Sequence, residues 1–110
     1  MLINWSRIEA LKEDVGREDV KEVIDLFINE IQQVIDKIPA QMEAENIADD
    51  LHFLKGSALS LGFQELSCVC QTGYEAFSKT PRGAFEIDNV RACFETSKAE
   101  FDAKLDGALA

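Results

Sequence analysis

Apolar residues along this chain recur at steps of three and four, the spacing of one face of an α-helix, and no stretch alternates as a half-buried strand would. Trp5, Ile8, Leu11 and Val15 predict a short amphipathic helix over about Asn4–Val15. Asn4 or Ser6 can cap its start by accepting an orphan N–H, and Gly16 can end it with a left-handed residue. A second stripe, from Val20, Val23, Ile24 and Phe27 through Ile31, Val34, Ile35 and Ile38, predicts a long helix. It begins near Glu18–Asp19, whose charges suit a helix N-terminus. Pro39 lacks an N–H and stops or kinks that helix, with a final turn reaching about Ala44. Ile47, Leu51, Leu54, Ala58 and Leu61 define a third helix over about Asn46–Leu61, closed by Gly62.

The fourth helix, about Gln64–Lys79, turns Phe63, Leu66, Cys70, Gly73, Tyr74 and Phe77 inward. Gly73 in its middle costs roughly 1 kcal/mol against Ala and implies a close helix–helix approach. Thr80-Pro81-Arg82-Gly83 is the clearest loop. Ile87, Val90, Phe94, Ser97, Phe101 and Leu105 predict a last helix over about Ala84–Leu105, with a frayed tail after Asp106. Four long amphipathic helices with short connections imply an all-α protein: an antiparallel four-helix bundle, one end capped by the short N-terminal helix. The 110 residues are read as a single domain, 1–110.

Charge narrows the partners. There are 21 acidic and 11 basic side chains, a formal net of −10, and most of the excess lies in the first half. Such a surface repels phosphate backbones and anionic lipid, so neither nucleic acid nor membrane is expected as a partner. No apolar run approaches the roughly 20 residues needed to cross a bilayer. The N-terminus has no basic stretch followed by an apolar core, so a cytoplasmic protein is expected. Cys68, Cys70 and Cys93 form no zinc pattern and read as small reduced core residues. One histidine, with only Asp49 a turn away, does not make a transition-metal site.

That histidine lies in Leu51-His52-Phe53-Leu54-Lys55-Gly56-Ser57-Ala58. On a helical wheel with Ile47 at zero, the apolar stripe falls within about 40° of it. His52 then lies at about 140°, Lys55 at about 80° and Gly56 at about 180°. His52 therefore points away from the core axis, with Lys55 and Gly56 one turn further on the same side. Lys55 can place an ammonium beside whatever the imidazole holds, and Gly56 leaves space where a small tetrahedral anion fits. Ser57, at about 280°, faces elsewhere. On spacing alone the pattern is weak, because a solvated helix with a packing glycine produces it as well.

The wording of the segment is more specific. Leu51-His52-Phe53-Leu54-Lys55-Gly56-Ser57-Ala58 followed by Leu61-Gly62 closely resembles the signature of histidine-containing phosphotransfer (HPt) domains. Asn4-Trp5 with Leu11 and Gly16, and Phe27 in the second helix, look like that family's opening. The run from His52 to Cys70 is similar to its fungal phosphorelay members. The resemblance implies that His52 accepts a phosphoryl group from the aspartyl phosphate of a response-regulator receiver domain and passes it to another. Lys55 matches the lysine that neutralises the phosphate, and Gly56 the glycine that keeps the approach clear. One departure stands out. Some members carry a glutamine, 22 residues after the histidine, that hydrogen-bonds the imidazole; here that position is Tyr74. Gln71, one turn earlier, is the other residue that could orient the ring.

The resemblance implies a phosphocarrier, and because no second apolar face suggests an obligate dimer, a monomer is expected. Its expected partners are receiver domains, that of a hybrid histidine kinase among them. It has no Gly-rich nucleotide loop, so kinase activity of its own is not expected. No cofactor is expected on this chain, and Mg2+ is expected on the receiver. Ala48 and Leu59 share the His52 face, and Ile8 and Leu11 of the first helix can lie near it, so these four are the expected docking residues. The competing reading is a helical-bundle adaptor that binds receivers without phosphotransfer.

Overall fold

The computed structural model describes residues 1–38, 44–79 and 87–110. Five helices lie in that span: α1 (Trp5–Val15), α2 (Val20–Lys37), α3 (Ala44–Leu61), α4 (Gln64–Lys79) and α5 (Ile87–Leu109). The helix stop expected at Pro39 and the loop expected at Thr80-Pro81-Arg82-Gly83 lie outside the described residues.

Local chemistry sets the ends. Asn4 caps α1, its side-chain oxygen accepting from the Ser6 N–H at 3.2 Å. Gly16 follows at φ +90°, its N–H donating to the Lys12 carbonyl at 2.8 Å. The turn from α3 to α4 is a Schellman motif: the Phe63 N–H donates to the Ala58 carbonyl at 2.8 Å and the Gly62 N–H to that of Leu59 at 3.2 Å. Gly62 sits at φ +83°, and a Cβ there would come 2.5 Å from the Asn4 carbonyl oxygen. The Asn4 N–H in turn donates to the Gly62 carbonyl at 2.7 Å, fastening the start of α1 to this turn.

The long helices pack in sequence, α2 on α3, α3 on α4 and α4 on α5, with α3–α4 the most extensive contact. Two exposed ion pairs join α2 to α5 and show their relative direction. Arg91 at the start of α5 meets Asp36 at the end of α2 at 3.0 Å, and Lys21 at the start of α2 meets Asp106 near the end of α5 at 3.4 Å. Thus α2 and α5 run antiparallel. Arg17 also donates to the Leu109 carbonyl at 2.7 Å, and α5 continues to Leu109 rather than fraying after Asp106.

The core is the expected stripe of each helix. Ile24, Ile31 and Ile35 of α2, Leu51, Leu54, Ala58 and Leu61 of α3, Leu66 and Cys70 of α4, and Val90, Phe94 and Phe101 of α5 are all buried. Phe63 packs at one end against Phe94 and Phe101, at 6.2 and 5.1 Å between ring centroids, and Trp5 of α1 stacks on Phe101 at 5.3 Å. Phe63, Phe94 and Phe101 are fully buried, and each contributes about 1.5–3 kcal/mol by leaving water.

Of the three cysteines, Cys70 is buried, and loss of solvent pushes its thiol up to about 12. Cys93 is half-buried and raised by the same cause. Cys68 is exposed, against the expectation of a core residue, because it lies two positions from Cys70 and so on the opposite side of α4. Among the described residues, no helix is long and apolar enough to cross a membrane, and no group of three acidic, histidine or cysteine side chains could hold a metal ion.

Candidate functional site

The rotation of α3 is fixed by Leu51, Leu54, Ala58 and Leu61, each with no exposed surface. That lock turns His52 out to solvent, with Lys55 half-buried and Gly56 exposed one turn further along. A Cβ built at Gly56 meets nothing within 4 Å, so the glycine leaves open space beside the imidazole.

Neighbouring helices frame the site from two sides. From α4, the ring of Tyr74 approaches His52 at 5.3 Å between centroids, tilted by 43°. From α2, Phe27 joins His52, Phe53, Gly56, Ser57 and Ser60 in lining an open depression of about 400 Å³. Ser57, which its wheel angle set apart from the site, lines this depression too, where it is largely covered. Gln71 points elsewhere: its amide donates to Glu75 on its own helix at 2.9 Å. Of the two residues expected to orient the imidazole, the structure brings Tyr74 to it. The ring of Tyr74 is half-buried at the edge of the core rather than inside it.

The expected docking residues divide. Leu59 is exposed at 40%. Leu11 is half-buried against the core. Ile8 and Ala48 are buried at 1% and 6%, which corrects their assignment to a docking surface. Ile8 is the fully buried side chain of α1, the anchor by which that helix packs on the bundle. Ala48 lies only about 60° from Leu51 on the wheel, and a lone methyl is too short to emerge from between packed helices. Sequence reasoning missed two exposed apolar side chains, Phe53 at 45% and Leu26 at 59%. Their signal is present in the sequence, since both are large apolar residues off the stripe of their own helix. Leu26 and Phe27 also border a smaller depression of about 200 Å³ with Val23 and Glu30. Apolar surface therefore continues from the imidazole onto α2.

Comparison with known proteins identifies the family. The Hpt domain family model matches residues 22–106, and the chain belongs to that family. It is 28% identical to histidine-containing phosphotransfer protein 1 of Oryza sativa subsp. japonica, over 92% of this chain and 74% of that protein. It is also similar to two fungal proteins named phosphorelay intermediate protein YPD1. The Candida albicans protein is 26% identical over 82% of this chain and 52% of its own length. The Saccharomyces cerevisiae protein is 30% identical over 64% and 46%. The chain thus spans about half the length of the fungal relatives. No solved structure gives a significant match.

Proposed function

We propose that this protein is a phosphorelay intermediate: His52 accepts a phosphoryl group from the aspartyl phosphate of a receiver domain and passes it to another receiver in two-component signalling. The observation that carries the reading is an exposed imidazole on a rigid helix, with open space at Gly56 and the Lys55 ammonium one turn along.

Neutral imidazole is a nucleophile near pH 7 and needs no separate base to attack phosphorus. In the transfer, a His52 nitrogen forms a bond to phosphorus as the carboxylate–phosphorus bond of the donor breaks. The electron pair leaves with the aspartate, and the other ring nitrogen keeps its proton. The transition state is loose and in line, so catalysis is mostly positioning and charge neutralisation. Lys55 supplies one cation, and a divalent ion such as Mg2+ on the receiver would supply the rest. The reactive nitrogen works over Gly56, where nothing blocks an incoming phosphoryl group.

The receiver docks on the apolar surface around His52: Leu59 and Phe53 of α3 with Phe27 and Leu26 of α2. A transient complex of this kind buries an area on the low side of roughly 1,200–2,000 Å². The protein acts in the cytoplasm as a monomer, and a hybrid kinase is one source of its donor receiver. An adaptor without chemistry has no use for an imidazole, an ammonium and an open glycine gathered on one face.

The test is incubation with a panel of radiolabelled phospho-receivers, for wild type and His52→Gln. Wild type takes up acid-labile label and the variant none, while stability changes by less than about 0.5 kcal/mol at this exposed position. Label on histidine in the variant would overturn the assignment.

A further inference from the structure

The imidazole of His52 has a wall on one side and open space on the other. The wall is Tyr74, 5.3 Å away between ring centroids at a tilt of 43°. Its ring is anchored: it is half-buried, packs on the core cluster, and stands on α4 next to the buried Gly73 and one turn after the buried Cys70. The open side is Gly56, where a Cβ would meet nothing within 4 Å. The amide of Gln71 is committed to Glu75, and among the described residues no hydrogen bond reaches either imidazole nitrogen. A hydrogen bond to one nitrogen would fix both tautomer and direction; a ring contact restrains the plane of the imidazole and leaves both nitrogens free.

We infer that Tyr74 is a positioning residue for phosphoryl transfer, bracing the imidazole of His52 through its aromatic ring so that the reactive nitrogen stays over Gly56 and beside Lys55. This rests on the phosphocarrier reading above and adds how the ring is held. The role belongs to the ring, not to the hydroxyl. A free imidazole on an exposed helix face distributes over two χ1 wells, the third being closed by the preceding turn, and two ring orientations. Removing the brace therefore lowers the productive fraction by about two- to fourfold. Phenylalanine preserves the brace, whereas leucine keeps apolar bulk without a flat face.

Phosphoramidate tests this without any receiver. A His52 nitrogen attacks its phosphorus, the phosphorus–nitrogen bond breaks, ammonia leaves with the electron pair, and the second ring nitrogen keeps its proton. The full chain is compared as wild type, Tyr74→Phe and Tyr74→Leu. The readouts are the rate of phosphohistidine formation and the NMR shifts of the imidazole C–H protons. A ring-current shift is expected in wild type and Tyr74→Phe and is lost in Tyr74→Leu. Phosphorylation in Tyr74→Phe is as fast as in wild type, and in Tyr74→Leu it slows by about two- to fourfold.

Equal rates for Tyr74→Leu and wild type would overturn the inference. So would a Tyr74→Phe variant as slow as Tyr74→Leu, which would assign the effect to the hydroxyl. Should Tyr74→Leu fail to fold, wild-type imidazole protons at the shifts of an unstructured histidine would overturn it just as well. A wild-type chain that phosphoramidate and phospho-receivers both leave unlabelled at His52 would instead overturn the phosphocarrier reading, so the two failures are distinguishable.

Discussion

Replacing Gly56 by glutamine pushes stability and function in opposite directions, and both magnitudes follow from the same geometry. The position is in the interior of α3, it is exposed, and a Cβ there meets nothing within 4 Å. Glycine in such a place costs the helix roughly 0.5–1 kcal/mol against a residue of good helix propensity. Gly56→Gln therefore raises the melting temperature, by roughly 2–6 °C for a domain of this size. The new side chain does not point idly into water. Helical side chains lean toward the N-terminus, and His52 is the residue one turn back, so the glutamine covers the space over the imidazole. Transfer needs the nitrogen and phosphorus within about 3–3.5 Å, and displacement by about 1 Å costs on the order of a hundredfold. The assay is single-turnover transfer from a phospho-receiver beside a thermal melt of the same preparation. Gly56→Ala serves as the control: it gains the same helix stability but adds only a methyl group. A glutamine variant as fast as wild type would refute the steric role of Gly56. A lowered melting temperature would refute the open space from which the argument starts.

Lys55→Ala should act on the product rather than on encounter. Phosphohistidine carries charge that neutral imidazole lacks, so removing the half-buried ammonium shifts the transfer equilibrium toward the receiver, by up to about fivefold, on the order of 1 kcal/mol. The shift should shrink in 1 M salt, where the Debye length is about 3 Å; equilibrium constants at two salt concentrations measure it, and no change at low salt would refute it. Gly62→Ala meets both a positive φ and the Asn4 carbonyl, and is expected to cost about 2 kcal/mol or more in a urea melt, far beyond an ordinary surface change. Alkylation at neutral pH should modify Cys68 first and Cys93 more slowly, while buried Cys70, its thiol pushed up to about 12, reacts only on unfolding. Peptide mapping of a time course gives the order.

The helices were legible because their determinants are local. The stripe of α4 and the glycine before it place its ends at Gln64 and Lys79, as found. The caps at Asn4, Gly16 and Gly62 each depend on a residue type that the backbone conformation requires. The far end of α5 was not legible, because what holds it is remote: Arg17 reaches its last carbonyl across 92 residues of chain. No window of sequence around Asp106 contains that partner.

The site divides along the same line. Exposure of His52 follows from the period of one helix, since a stripe that must be buried fixes where every other residue on that helix points. What stands beside His52 depends on which helix covers which side of α3, and a wheel measures angle but not depth. Ala48 and Leu59 differ by only about 20° on that wheel, yet one is 6% exposed and the other 40%. Tyr74 illustrates the reverse case, a residue whose inward angle on α4 brings it to the border of the core and against an outward-facing histidine. The two angles are compatible because helices packed side by side share an edge, where the flank of one inward face meets the flank of the other's outward face. A nucleophile at that edge is open to a partner on one side and braced by a fixed ring on the other. One placed at the centre of the solvent face would have no brace, and one in the core stripe would have no access.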